Sequence, residues 1–562
     1  MPSIPPVLRA GTRDLPAVPP LVQLMVGAFL APILAWVETL VLRRVLRHGA
    51  NHPLVQLNQW FDLTPVIIAC AAYHHPVGTP GAPPTFTVEQ LVRAEIVRAW
   101  ADSCADPELE FHLATNLLLR WFVGLPLVGA TPDHSTLNRF HAWLSDHAAA
   151  VLFRQVLAFL DQVDPEAAAT TPQIVDTFAM QSPVAATPSP AHLLRHLCLR
   201  LARCWRAYAP AALQHALPPL DLGMLARPVF ARTALARQVH LHEAVSITAW
   251  LVDGLTPHLA ALEPSLRTVV QDYLDALAKV QADDLTTDGT GYVRERPTKE
   301  RGEHRLASAM DRQATFRKHD GSPAVLGTNA VISTTATRIR ACVALSGSIP
   351  DGEAPMVALQ QQQDAGQPLP AQLVMDQAGG WGKTRARVDV LSAGQTTMVA
   401  WVPMSGGSDP TRFTVADFRV NAEGTACTCP AGVVSTRRYA SGDSDGVYFR
   451  YLAACQECVL WPQCRDPKAT PTGHRSVFIS DYHPYLRAGD AFNQTAEGRA
   501  LLGERWRVEP TVAWLVRYQG CRRARRVGTA AAQCQLYQAC AVRNLLLWLS
   551  RVRRGLAARP VA

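Results

Sequence analysis

At 562 residues the chain is too long for one hydrophobic core, so its length calls for a main domain with appendages or insertions. With 48% hydrophobic and 18% charged residues it has the balance of a folded protein, which excludes a disordered or fibrous chain. The net charge of +8 is modest, yet over residues 501–562 twelve Arg and no Lys stand against only Glu504 and Glu509.

Met1 to Leu21 lacks the basic start, compact apolar core and small-residue cleavage site of a secretory signal. The apolar stretch from Leu21 to Leu42 approaches the length of a membrane span, but Gln23, Pro32 and Glu38 interrupt it and Arg43, Arg44 and Arg47 follow at once. A packed helical segment is expected there, the alternative being a membrane helix. Helical spacing continues through Leu91, Ile96 and Val97, then Leu113, Leu117, Leu118 and Trp121, after a Pro/Gly-rich break over 76–84. Ser135 is placed to cap a helix with Leu137, Phe140 and Trp143. Short helices meeting at a turn form either a DNA-binding unit or ordinary helical packing.

The run QIVDTFAM over 173–180 predicts a buried strand with one acid in it, and 190–284 predicts a helical insertion rich in Leu, Ala and Arg. Strands are expected again over 314–318 and within 324–345, where Val, Ile and Thr are dense. A helix over 355–363, the strand AQLVMD ending at Asp376 and a strand over 397–402 follow. A Gly-, Ser- and Cys-containing region extends to about 471, and helices are predicted over 496–518 and 530–549. The chain thus divides into a helical N-terminal region over 1–165, a candidate DNA-binding unit, and a core over 170–402 interrupted by the insertion at 190–284. A cysteine-rich insertion over 403–490 and Arg-rich helices over 491–562, which complete the core, make up the rest.

An Asp inside an apolar strand costs desolvation energy unless it is paired or bound to a metal, and Asp176 and Asp376 are two such residues. Taken singly, each could be a turn former. Glu509 lies four residues after Arg505 on a predicted helix, where a surface ion pair is the simpler reading. Three carboxylates on two strands and a helix can hold two Mg²⁺ ions roughly 3.5 to 4 Å apart for phosphoryl transfer. Arg522, Arg523, Arg525 and Arg526, with Trp506, Trp514, Tyr518 and Trp548 interleaved along the tail, suit phosphate contact or a solvated helix face.

Four segments together resemble bacterial insertion-sequence transposases of the DDE type. HLATNLLLRWFVGLPLVGATPDHSTLNRFHAWL from His112 is similar to their N-terminal region. DTFAMQ from Asp176, LVMDQAGGWGKTRARVDVL from Leu373 and RWRVEPTVAWLVRYQGCRRARRVG from Arg505 are similar to the blocks around their three carboxylates, in the family's order. The resemblance implies an α/β, ribonuclease H-like mixed-sheet core and Asp176, Asp376 and Glu509 as ligands of two Mg²⁺ or Mn²⁺ ions. It further implies cleavage and joining of double-stranded DNA at element ends and target, in a homo-oligomer on DNA. A cytoplasmic, nucleoid-associated protein without a membrane anchor follows from the same resemblance. Arg505 matches an Arg of the family, whereas a DNA-contacting Lys seven residues after the Glu is replaced by Val516, leaving Arg517 beside it as a candidate contact.

Cys429, then 25 residues, then Cys455-x₂-Cys458-x₅-Cys464 could hold a tetrahedral structural Zn²⁺, with Cys427 to spare. The long first spacing leaves free thiols as the alternative. Gly382-Lys383-Thr384 lacks the earlier Gly of a phosphate loop, Gln377 standing in its place, which excludes that ATPase motif. His240-x-His242 and His74-His75 have no third ligand at clear spacing. Two rival functions stay open: a catalytically inactive, zinc-braced DNA-binding protein, and a ribonuclease H-like nuclease that cuts without joining.

Overall fold

A computed structural model describes residues 20–74, 84–127, 129–165, 172–227, 229–302, 304–318, 321, 323–403, 411–442, 445–465 and 475–558. The first third is helical, as its periodicity requires: α1 (Pro20–His48), α2 (Pro53–Trp60), α3 (Thr64–Cys70), α4 (Val88–Trp100), α5 (Asp106–Thr115), α6 (Leu117–Val123), α7 (His134–His147) and α8 (Val151–Val163). Local chemistry sets their ends. Thr87 and Gln90 form a reciprocal capping box on α4, and the Asn116 side chain accepts the Leu118 and Leu119 N–H groups where α5 gives way to α6. Asp133, not the expected Ser135, caps α7, its carboxylate accepting the Thr136 N–H at 2.7 Å. The Asp reaches the orphan donors from outside the first turn, whereas Ser135 is already inside it. Buried Arg120 fixes the chain after α6 by donating to the carbonyls of Leu113, Pro126 and Gly129 and to the Thr131 hydroxyl.

α1 departs from the packed segment expected of it. Pro32 lies within the helix, and Ile33, Trp36, Val37 and Leu40 are exposed. Among the described residues no helix is long and apolar enough to cross a membrane. The Pro/Gly-rich break and His75 lie mostly outside the described residues.

β1 (Gln173–Gln181) leads into the insertion, formed by α9 (Pro190–Tyr208), α10 (Leu222–Ala226), α11 (Ala234–Leu255) and α12 (Pro264–Asp284) around Leu194, Leu197, Trp205, Leu251 and Leu277. A hairpin of β2 (Leu285–Thr287) and β3 (Val293–Glu295) follows. The chain then supplies β4 (Thr315–Arg317), β5 (Val325–Thr334), β6 (Ile339–Ser346), α13 (Ala354–Asp364), β7 (Gln372–Val374), α14 (Gly382–Leu391) and β8 (Thr397–Val399). These β-branched and apolar runs fit a pleated surface buried on both faces. The mixed sheet runs β4-β5-β1-β7-β8, with β6 also paired to β5; β5 is antiparallel to its partners, while β1, β7 and β8 are parallel.

The cysteine-rich region, expected only as irregular chain, holds two small antiparallel sheets. One joins β9 (Arg419–Val420), β10 (Cys427–Thr428) and β11 (Val434–Ser435); the other joins β12 (Arg438–Ala440), β13 (Gly446–Tyr451) and β14 (Arg475–Ser480), with α15 (Trp461–Cys464) between the last two. α16 (His483–Asn493), α17 (Ala496–Gly503), α18 (Glu509–Tyr518) and α19 (Thr529–Arg553) complete the described chain.

One core unites the N-terminal helices with α19 and the sheet face bearing Ile174, Phe178, Ile332, Val374 and Val399. Val175, Val331, Leu373 and Met375 form the opposite face, covered by α13 and α14. The outer edge of β6 carries backbone groups that would otherwise invite another strand. Side-chain amides occupy them instead: Asn544 bonds both backbone groups of Ile339, Gln361 those of Cys342, and Gln533 accepts the Ala344 N–H.

Candidate active site

Alternation along β1 assigns each side chain to a face. Ile174 and Phe178 enter the core beneath α19 and Val175 enters the other, so Asp176 points to the α19 side. β1 and β7 pair in parallel with Gln173 opposite Leu373 and Ile174 opposite Val374. The same register carried two residues further sets Asp176 opposite Asp376, just where β7 has ended. Asp376 is still extended, and its carboxylate accepts the Ala378 N–H at 2.9 Å to start a 3-10 turn over Gln377–Gly380. Asp176 accepts the Thr177 N–H at 2.8 Å.

Burial pushes the Asp176 carboxyl above the usual Asp range, and the charge of Asp376 pushes the same way; the Thr177 bond and the cations Arg505 and Arg317 oppose it. Such an acid-on-acid arrangement, partly desolvated, is a charge excess that a hard divalent cation would neutralise. Arg317, which nothing in the sequence singled out, comes from β4, donates to the Thr177 hydroxyl at 2.8 Å and pairs with Asp351 at 3.2 Å.

Glu509 is the first residue of α18, after a 3-10 turn over Arg505–Val508 that packs on β1 through buried Val508. Its carboxylate meets Arg505 at 3.5 Å, with the Glu509 side chain 58% exposed. An exposed pair of this kind contributes only about 0.2–1 kcal/mol, so the Glu509 side chain is free to reorient. The structure therefore places the charges of Asp376 and Arg505 near Asp176, with Glu509 paired to Arg505 at the start of α18. Among the described residues no group of three or more His, Cys, Asp or Glu is drawn into a metal-holding arrangement.

The Arg-rich segment splits by role. Arg525 donates to the carbonyls of Ser103 at 2.7 Å and Asp102 at 3.0 Å, while Arg526 makes two bonds to Asp106, at 2.7 and 2.9 Å, and one to the Asn138 carbonyl. Both guanidinium groups therefore tie this segment to the N-terminal region. Arg523 donates to the Pro183 carbonyl, and its segment continues β1 through bonds between Gln181 and the backbone of Arg522 and Ala524. Arg517 and Arg522 are exposed, whereas Val516 packs against the core where the family's Lys would stand. Of the interleaved aromatics, Trp506 and Tyr518 are exposed; Trp548 is buried against Trp60 and Phe159, and Trp514 lies under Arg543.

Cys429, Cys455, Cys458 and Cys464 line one narrow cavity with Phe413, Tyr451 and Trp461. Burial raises the thiols of Cys455 and Cys464 above their ordinary range, and the other thiols of the set act in the same direction. Cys427 is buried in the adjoining small core, its carbonyl accepting the Tyr451 hydroxyl at 2.7 Å. His240 packs on His192 within the insertion, as an ordinary helix histidine does.

A family model described as Transposase domain (DUF772) matches residues 43–142, from the end of α1 into α7. A second, described as Transposase DDE domain, matches residues 428–547, from the cysteine-rich sheets through Glu509 into α19. No curated protein and no solved structure matches the chain. With both transposase regions in one chain, on either side of the sheet bearing Asp176 and Asp376, the protein is similar to the DDE transposases of insertion sequences.

Proposed function

We propose that the chain cuts and joins the ends of its insertion sequence by phosphoryl transfer at Asp176, Asp376 and Glu509. The observation that supports this most is the register of β1 and β7, which aligns two carboxylates on one face beneath the helix layer that carries Glu509. The sheet path β6-β5-β1-β7-β8, with β5 alone running against the rest, supports a ribonuclease H-like core. Two Mg²⁺ or Mn²⁺ ions, when bound, would stabilise charge on the attacking and leaving oxygens of such a transfer.

Asp176 and Asp376 present oxygen ligands from fixed backbone positions, one on a strand and one on a capped turn, so their separation is set by the sheet. Glu509 completes the set by leaving Arg505, whose guanidinium is then available to a DNA phosphate. Arg517 and Arg522 add exposed cations for duplex DNA of the element end and target. The four cavity cysteines would hold one structural Zn²⁺ and brace the insertion between Asp376 and Glu509, away from the chemistry. Assembly as a homo-oligomer on DNA belongs to the same reading.

The test is incubation with a duplex carrying the element's terminal inverted repeat and Mg²⁺. A strand cut at the repeat boundary and a product joined to target DNA are expected. Cutting without joining favours the nuclease reading, and binding without cutting favours the inactive DNA-binding reading.

A further inference from the structure

We infer that α11 of the helical insertion is the contact through which two copies of this chain pair, antiparallel, about a twofold axis. The inference gives a surface to the homo-oligomer proposed above and rests on that part of the proposal, not on the chemistry at Asp176 and Asp376. α11 packs on α9, and His240, Leu241, Ala244, Thr248, Leu251 and Leu255 are its buried side. A helix that borders water carries charged and polar residues on its other side. Here, histidines apart, only Arg237, Glu243 and Asp253 are charged among the 22 residues of Ala234–Leu255. Leu235, Val239 and Trp250 stand 74, 60 and 47% exposed, and Phe230, just before the helix, 81%. At about 100° per residue, Leu235, Val239, Ser246 and Trp250 fall within an arc of about 60°, so they form one stripe facing away from α9. A helix that is apolar on both sides belongs between two neighbours, and among the described residues the insertion covers one side.

Charge selects the second neighbour. Exposed Arg232 precedes α11, and exposed Asp253 stands near its C-terminal end. An antiparallel copy that sets Leu235 opposite Trp250 has its twofold axis between His242 and Glu243. Val239 then meets Ser246, Ala236 meets Ala249, and Arg232 meets Asp253. Because the axis repeats every contact, the ion pair and the Leu235–Trp250 contact each occur twice. A parallel copy would instead bring Arg232 to Arg232 and Asp253 to Asp253, which repel. Ala236, Ser246 and Ala249 are exposed and small, which lets two helices approach closely. A helix of this length spans about 33 Å, so the pairing lies at the small end of specific interfaces and its dissociation constant falls in the micromolar range.

The test is analytical ultracentrifugation of the full chain without DNA, over about 1 to 100 µM. Wild type should pass from monomer to dimer within that range. Leu235→Glu and Trp250→Glu should each stay monomeric throughout, with urea unfolding close to wild type because both positions are exposed. Arg232→Asp and Asp253→Arg should each raise the dissociation constant roughly tenfold, and the double variant, with the pair reversed, should restore it to within about twofold. A wild type that is monomeric at the highest concentration, leaving the stripe to a different protein, would overturn the inference. So would a dimer that survives both Glu variants, or a double variant no better than the singles. Any of these results leaves the cleavage reading standing; Asp176→Asn, conversely, should lose cleavage and remain a dimer.

Discussion

Replacing Arg526 by Ala should weaken folding and leave the salt dependence of DNA binding unchanged. Its guanidinium bonds Asp106 twice, at 2.7 and 2.9 Å, with side-chain exposures of 20% and 19%. Asp106 also receives Arg98 at 2.7 Å, and Arg98 pairs with buried Glu95, which His141 and Gln538 hold at 2.7 and 3.0 Å. Arg526 thus ends a chain of charge-assisted bonds that docks α4, α5 and α7 onto α19. Hydrogen bonds to charged groups contribute about 1.5–3 kcal/mol. Because Arg98 remains to neutralise Asp106, the loss falls below the roughly 3–5 kcal/mol of an orphaned buried charge, and about 2 kcal/mol is expected. Exposed Arg522→Ala should change stability by no more than about 0.5 kcal/mol but lower the salt slope of duplex binding by roughly 1. Urea unfolding followed by Trp fluorescence, with binding isotherms at several salt concentrations, separates the two effects. An Arg526→Ala variant that unfolds like wild type but binds DNA with a flatter salt dependence would refute the reasoning.

Asp176 should impose a pH signature on stability. Its carboxyl is raised by burial and by Asp376, so the folded state holds a proton that the unfolded state has released. Stability attributable to this group falls as pH rises from the ordinary Asp range through the raised value, and the deficit persists above it. Asp176→Asn should therefore be more stable than wild type at neutral pH and lose that advantage in acid, as unfolding curves at several pH values would show; no gain at neutral pH would contradict it. Arg98→Met should cost about 3–5 kcal/mol, since it strips the nearest cation from a buried carboxylate. Although burial alone would raise it, Arg98 and His141 hold the Glu95 carboxyl well below the usual Glu range. The stability gained is therefore present above that range and lost as pH falls, and Glu95→Gln should flatten the acid limb of the unfolding profile. For the cysteines, elemental analysis should find about one zinc per chain, with Cys464→Ser or Cys429→Ser releasing it. A zinc-free protein with the insertion still folded would remove that site.

What could be read from the sequence follows from how local each signal is. The strands around Asp176 and Asp376 were legible because an acid in an apolar, β-branched run contradicts its surroundings, and the helical insertion because its period persists over ninety residues or so. The small sheets of the cysteine-rich region were not, since strands of two or three residues set no period. Arg525 and Arg526 looked like Arg522 in sequence; only the fold brings Asp102, Ser103, Asp106 and Asn138 to them from about 400 residues away. The α7 cap was missed by two residues because Asp133 and Ser135 are both good cap formers and nothing local chooses between them.

The central claim is that Asp176, Asp376 and Glu509 act as one metal-dependent unit on DNA. Single-turnover cleavage of an element-end duplex, in Mg²⁺ and in Mn²⁺, should be abolished by each of Asp176→Asn, Asp376→Asn and Glu509→Gln, with duplex affinity retained to within about twofold, since phosphate-contacting cations are untouched. Full cleavage by any one of the three variants would contradict the account at that residue, and full cleavage by Asp176→Asn or Asp376→Asn would remove the paired-aspartate row on which it rests.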